Sequence, residues 1–400
     1  MTMITEARGA FDEAEHTRRV AAVRAEMRRH DLGALVITSP ENIYYLIGLN
    51  HQGYFAFTML VFPFDGPPVL LTRVMESYII SKQAPDVDHV GYADSDDAGQ
   101  AAVRAIHRAG VESERIGVDT QSMYFPPGIW EEMETTLTDV EWFDTSRSSS
   151  TEDQFRTGII DHVRLIKSQA EIEYLKRAAA ISDRAVRAGL SVAGVGANEK
   201  EVAARAYREL ILGGSEYPGF APLIRSSETL LEEHSTWSDR VLVAGDRIFL
   251  ELSGAVGRYH APLTRMAYLA AAPPRAEEAQ ATALSAFAAA RETLRPGVET
   301  GDVYAAWQAV VDDALGHDRL RRHHCGYNVG IGFPPSWVGG PAVLGIRPEG
   351  KVKIQAGMAF HMLSWITDPD LPPYMVSDSV LVTGDGTEVL TTTRRPLVTD

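Results

Sequence analysis

The chain has 400 residues, 45% of them apolar and 23% charged, with a formal net charge of −16. That length favours two domains, each large enough for its own core, and the acidic balance argues against a sequence-independent grip on nucleic acid or an anionic membrane surface. Cys325 is the one cysteine, which excludes an intrachain disulfide, and no run of about 20 apolar residues is present to span a membrane.

The opening MTMITEARGAFDEAEHTRR is polar and acidic, unlike a signal peptide, so a cytoplasmic location is expected. Residues 17–30 have the spacing of an amphipathic helix, GALVITSP reads as a buried strand ending at Pro40, and ENIYYLIGL as a short helix or turn. AFTMLVFPFDGPPVLLTR reads as two strands about a DG-PP turn. RIGVD adds a strand and PPGIWEEMETTL a helix opened by prolines. Asp94, Asp96 and Asp97 are expected in a solvated loop. This alternation predicts a small α/β domain over residues 1–150, closed by the polar segment SRSSSTEDQFRTG as a linker.

Residues 151–400 carry a different grammar. Ser168 and Glu171 form an S-x-x-E capping box, and Asn198 and Glu201 repeat it ahead of a helix that stops at Gly213-Gly214. Helical stretches follow near 275–294 and 301–315. Strand-like runs occupy 247–253, 265–270, 357–366 and 375–383, and a GDG turn folds TEVLTTT back as a hairpin. The expected class is α+β, with helices on a mostly antiparallel sheet.

Within this second domain, Glu251 interrupts the apolar run RIFLELSG. A buried carboxylate there must be paired or carry a raised pKa, which makes it either part of a site or, on an edge strand, a solvated residue. His234 precedes it in a polar stretch where a loop side chain reaches a cleft and can act as base or acid; the alternative is a surface histidine beside two glutamates. Tyr259, His260 and Arg265 lie in GRYHAPLTR, where Arg265 is either a carboxylate clamp or a tie between strands. In HHCGYNVGIGFPPSWVGG, His323 and His324 are adjacent. On a strand only one of them would enter a given cleft. Trp237 offers a face to a cation or simply packs, and His361 lies in an apolar strand. No HExxH, CxxC, EF-hand or P-loop spacing is present.

Taken in order, SPENIYYLIGL, HVRLIKSQAEIEYLKRAAAISDRAV, YHAPLTR, RPGVETGDVYAA, HHCGYNVGIGFPPSW, GMAFHML and DSVLVTGDGTEVL resemble the pita-bread hydrolases: methionine aminopeptidase, prolidase, creatinase and their relatives. The resemblance covers nearly the whole chain. It implies a creatinase-type N-terminal domain followed by a pita-bread catalytic domain. The family's metallopeptidases bind two divalent ions through two aspartates, a histidine and two glutamates. Strict alignment places those positions on Glu251, Pro262, Tyr327, Leu363 and Ser377, so one carboxylate of the set survives. The resemblance therefore implies a metal-free site without cofactor, of the branch that contains creatinase and ectoine hydrolase. His234 aligns with the histidine creatinase uses, and Glu251 would orient a cationic amidine or attack its carbon.

The expected substrate is a small amidine or guanidine, ectoine first. Creatine fits less well because Phe57 stands where an arginine would be needed. Trp237, Tyr259, His260, Arg265, His323, His324, Tyr327 and His361 are the expected substrate contacts. Members of this branch are usually homodimers, which implies Tyr54 and Phe55 as a substrate wall contributed in trans. The alternatives are a metal-dependent Xaa-Pro peptidase with an altered ligand set drawn from His323 or His324 and His361, a creatinase, and a non-catalytic binding module.

Overall fold

The computed structural model describes residues 10–147, 158–338 and 343–399; most of the expected linker lies outside them. The described residues divide into two compact units, one up to Arg164 and the other from Leu165 onward.

The first unit holds helices α1 (Glu13–Arg29), α2 (Pro40–Ile47), α3 (Ser77–Gln83), α4 (Ala98–Ala109), α5 (Pro127–Thr136) and α6 (Ile159–Arg164). Its six strands are β1 (Ala34–Ile37), β2 (Met59–Pro63), β3 (Val69–Arg73), β4 (Asp88–Tyr92), β5 (Arg115–Val118) and β6 (Glu141–Asp144). They form one sheet in the order β4-β3-β2-β1-β5-β6. The pairs β1–β5, β5–β6 and β3–β4 are parallel, the rest antiparallel. Continuous burial along β1 and β2 explains their unbroken apolar runs.

Helix α6 belongs with this unit, so the division falls beyond the expected boundary at residue 150. Asp97 is also more than a loop residue. Its carboxylate accepts from the Gln100 amide at 2.9 Å and caps α4, while Asp94 pairs with Arg73.

The second unit begins with α7 (Gln169–Leu190) and α8 (Glu199–Leu212), and both expected capping boxes form. Then come β7 (Leu223–Ser226), β8 (Arg247–Leu252), β9 (Ala255–Val256), β10 (Tyr259–His260) and β11 (Leu263–Leu269). Helices α9 (Ala276–Thr293) and α10 (Thr300–Leu315) follow. The unit is completed by β12 (Gly326–Asn328), β13 (Ala359–Ile366), β14 (Tyr374–Val382), β15 (Thr387–Val389) and β16 (Val398–Thr399). The main sheet runs β12-β13-β14-β11-β8-β7, with β15 on β14 and β16 on β11. Strands β7 and β12 are too short to show period-2 alternation, and sequence reasoning missed both.

One face of this sheet is covered by helices. Ile224, Ile248, Leu250, Ala267 and Leu269 pack with Val202 and Ala203 of α8. A Cβ on Gly189 of α7 would fall 2.5 Å from Leu250 Cδ2, so this glycine sets how closely helix and sheet approach. On the same face, Trp307 of α10 donates to Ser364 Oγ at 2.9 Å. Asp183 of α7 accepts from the backbone and hydroxyls of Thr392 and Thr393, which anchors the C-terminal segment. The opposite face keeps its side chains for other work.

Candidate active site

Register identifies which residues share that second face. Leu223 pairs with Glu251, Glu251 with Thr264, Thr264 with Ser377, and Ser377 with Leu363, a single row across five strands. Side chains alternate along a strand. Neighbouring rows on the same face therefore hold Arg225, Phe249, Met266, Met375 and Trp365 on one side, and Ser379, His361 and Tyr327 on the other. Four of the five positions aligned above with metal ligands (251, 327, 363 and 377) thus fall on one surface, and Pro262 lies two residues before Thr264 at the entry to β11.

Glu251 is 4% exposed. Burial raises its pKa from 4.5 to about 7, with the Arg225 charge acting in the opposite direction. His361 Nδ1 lies 3.9 Å from Glu251 Oε1. Burial holds the His361 pKa down to about 3, so the ring is neutral and is no counter-ion. A relay holds the ring in place. Trp337 Nε1 donates to the Tyr327 hydroxyl at 3.1 Å, and His361 is hydrogen-bonded through Nδ1 to that hydroxyl at 2.8 Å and through Nε2 to Ser377 Oγ at 2.5 Å. Burial lifts the Tyr327 pKa well above its ordinary value, so the phenol keeps its proton.

The loop after β7 lies over this face. Leu230 joins its apolar cluster, and Arg225 Nη1 donates to the Glu232 carbonyl at 2.6 Å. Glu233 pairs with Arg322 at 3.0 Å, whose guanidinium sits 4.7 Å over Trp365. The next residue, His234, is exposed and stacks on Phe220 at 6.3 Å, and Phe220 meets Trp337 edge-on at 4.7 Å. An aromatic path therefore joins His234 to the relay.

Other expected contacts are employed elsewhere. Arg265 pairs with Leu250 on the helix-covered face. It donates to Asp378, to the Thr393 and Ser377 carbonyls and to the Thr264 carbonyl; it is a tie between strands, and the expected clamp role is corrected. Both ring nitrogens of His260 are occupied, Nε2 by the Gly219 amide and Nδ1 by the Arg258 carbonyl, so it braces a turn. Tyr259 donates to Glu171 of α7 at 2.6 Å. Trp237 packs edge-on against Tyr207 of α8 on the helix side.

His323 and His324 precede β12 in a bend, so strand alternation does not separate them. Their rings touch at 4.2 Å, with His324 the more buried and 5.6 Å from Tyr327 while His323 is exposed. Burial depresses the His324 pKa to about 3. In the first unit, Tyr54 meets Tyr124 edge-on at 5.8 Å, and Phe55 is 78% exposed. The buried Cys325 thiol has its pKa pushed up, which suits packing and not attack.

Sequence reasoning missed Arg225 and Trp337. The one available signal for Arg225 was a cation breaking the apolar run APLIRSS. Arg265→Met leaves Asp378 with Arg395 and Thr391 but removes its buried cation and the ties to the Thr393 and Ser377 carbonyls, and is expected to cost about 2–4 kcal/mol in urea unfolding while KM of the folded fraction stays unchanged; a raised KM with normal stability would restore the clamp reading.

Would the aligned positions hold two dications? They present one carboxylate of near-neutral pKa, a pyrrolidine ring, a phenol and a hydroxyl both committed to His361, and an isobutyl group. Among the described residues no group of three or more His, Cys, Asp or Glu side chains has metal-holding geometry. Hard or borderline cations need several anionic or imidazole donors. This donor set does not fit a dinuclear centre.

Fold and site together define a hydrolase of the pita-bread type. The chain belongs to Metallopeptidase family M24, which matches residues 173–384, preceded by a Creatinase/Prolidase N-terminal domain at 19–166. Among curated relatives it is 27% identical to an uncharacterised hydrolase/peptidase of Sinorhizobium fredii, covering 97% of this chain and 98% of that one. It is 26% identical to the ectoine hydrolase of Halomonas elongata, covering 95% and 96%. The crystal structure of dipeptidase PepE from Mycobacterium ulcerans superposes with a TM-score of 0.79 at 25% identity, covering 98% of this chain and 100% of that one. No helix among the described residues is long and apolar enough to cross a membrane.

Proposed function

We propose that this enzyme hydrolyses a C–N bond of a small amidine or guanidine-like compound without a metal, as an ectoine hydrolase does. The observation that carries this reading is the row Leu223–Glu251–Thr264–Ser377–Leu363, where a lone buried carboxylate stands among groups that make poor metal ligands. Burial leaves Glu251 near half-ionised at neutral pH. An amidinium arriving beside it favours the ionised form and is held by it. A neutral peptide bond offers no such charge.

In this reading His234 takes a proton from water, and the oxygen bonds to the amidine carbon. The same histidine then returns the proton to the departing nitrogen as its C–N bond breaks, so amidine plus water gives an amide and an amine. If Glu251 attacks instead, its oxygen bonds to the amidine carbon, the C–N bond breaks and the nitrogen leaves as an amine carrying a proton from His234; water then cleaves the resulting imidoyl ester to give the amide and free Glu251. The two roles separate by single-turnover trapping of an imidoyl group on Glu251.

The test is turnover of ectoine, hydroxyectoine, creatine and Xaa-Pro dipeptides by protein purified without chelator, together with metal analysis. The expected result is amidine ring opening that survives EDTA unchanged. Stoichiometric divalent metal, with Xaa-Pro cleavage lost to EDTA and restored by metal, would replace this function with a metallopeptidase.

A further inference from the structure

Arg225 is 0% exposed, yet among the described residues its Nε and Nη2 have no hydrogen-bond partner, while Nη1 donates to the Glu232 carbonyl. On a guanidinium, the Nε and Nη2 hydrogens point the same way and form a fork that accepts both oxygens of a carboxylate. The plane of this fork is fixed from below by the Phe249 ring, 4.1 Å from the guanidinium carbon. A buried cation with an empty fork is costly, since removal from water is not repaid. Thr264 Oγ1 and Trp365 Nε1, also buried and unpartnered, lie on the same sheet face, as the register shows. Three hydrogen-bond-capable side chains around Glu251 thus await partners.

We infer that Arg225 is the specificity residue of this site and holds a carboxylate of the substrate through its Nε/Nη2 edge. The inference rests on reading the face around Glu251 as the substrate site. Arg225 and Glu251 are diagonal neighbours on adjacent strands, about 7 Å apart at the backbone. The ligand is therefore dipolar: an anionic carboxylate at Arg225 and a cationic or polar reacting group at Glu251, separated by only a few bonds. The Arg225 charge also offsets part of the cost of ionising Glu251. Filling the fork with an anion weakens that effect, so substrates whose reacting group is itself cationic are favoured.

The test compares wild type, Arg225→Met and Arg225→Lys on a matched pair: whichever substrate the screen above returns, and the same compound without its carboxylate. For ectoine the partner is the decarboxylated ring, and for an Xaa-Pro dipeptide it is the C-terminal amide. Arg225→Met is expected to raise KM for the carboxylate substrate about 100-fold or more with kcat changed less than tenfold. Its loss in kcat/KM on the carboxylate-free compound, which also loses the Arg225 charge beside Glu251, should be at least about tenfold smaller than on the carboxylate substrate, and Arg225→Lys should fall between, since it keeps the charge and loses the fork. Equal losses on both compounds would make Arg225 a structural residue, and equal wild-type KM values for the pair would remove the carboxylate requirement. Because the pair follows the substrate found, failure of the amidine reading leaves this inference separately readable.

Discussion

Glutamine at position 251 is expected to lower kcat by at least about 10³-fold, whether Glu251 orients or attacks, because the amide neither carries charge nor is a nucleophile. The same substitution is expected to make the protein more stable at pH 8, and the sign follows from linkage. The folded-state pKa of Glu251 is raised from 4.5 to about 7, so between those values the native state binds a proton that the unfolded chain has released. Its stability contribution is fully present below about pH 4.5 and is lost as pH rises through about 7. The difference is on the order of 3 kcal/mol for a shift of this size. Urea unfolding of wild type and Glu251→Gln at pH 5 and pH 8 should show the variant gaining on wild type only at the higher pH. Parallel pH profiles would mean that Glu251 is ionised and satisfied in the fold, and turnover within tenfold of wild type would remove it from the chemistry.

His234→Ala is expected to lower kcat by about 10²–10⁴-fold, the usual contribution of a general acid–base group, with almost no change in stability, because the side chain is exposed and its contact is one ring stack on Phe220. His324→Ala is the control. That ring is the other histidine beside the relay, but its pKa near 3 makes it a poor base at pH 7. Loss of turnover in His324→Ala with full activity in His234→Ala would move the acid–base role to the other side of Tyr327.

Local rules were legible where the physics is local. The Ser168–Glu171 and Asn198–Glu201 boxes read directly as helix starts, because capping involves residues three apart. Glu251 announced itself as a carboxylate inside an apolar strand and is buried there. The fate of the other polar residues depends on register, which joins residues far apart in sequence. Thr264 and Arg265 are neighbours, but only the pairing of Thr264 with Glu251 and Ser377 reveals that Arg265 faces the helices. His260 and Tyr259 are spent on Gly219, Arg258 and Glu171, partners no motif names. Arg225 escaped notice for the converse reason: its significance lies in bonds it does not make, and a sequence does not display an unfilled donor.

The surroundings of Glu251 also constrain what this chain can become. Restoring ligands for two dications would require acids or imidazoles at Pro262, Tyr327, Leu363 and Ser377. Each early acidic replacement would set another carboxylate on the face of Glu251 before enough ligands existed to attract an ion, and like charges there oppose ionisation of one another. If the site works without a metal as proposed, single steps toward a two-ion centre are therefore uphill in folding free energy, and the barrier lies in the intermediates and not in the end state.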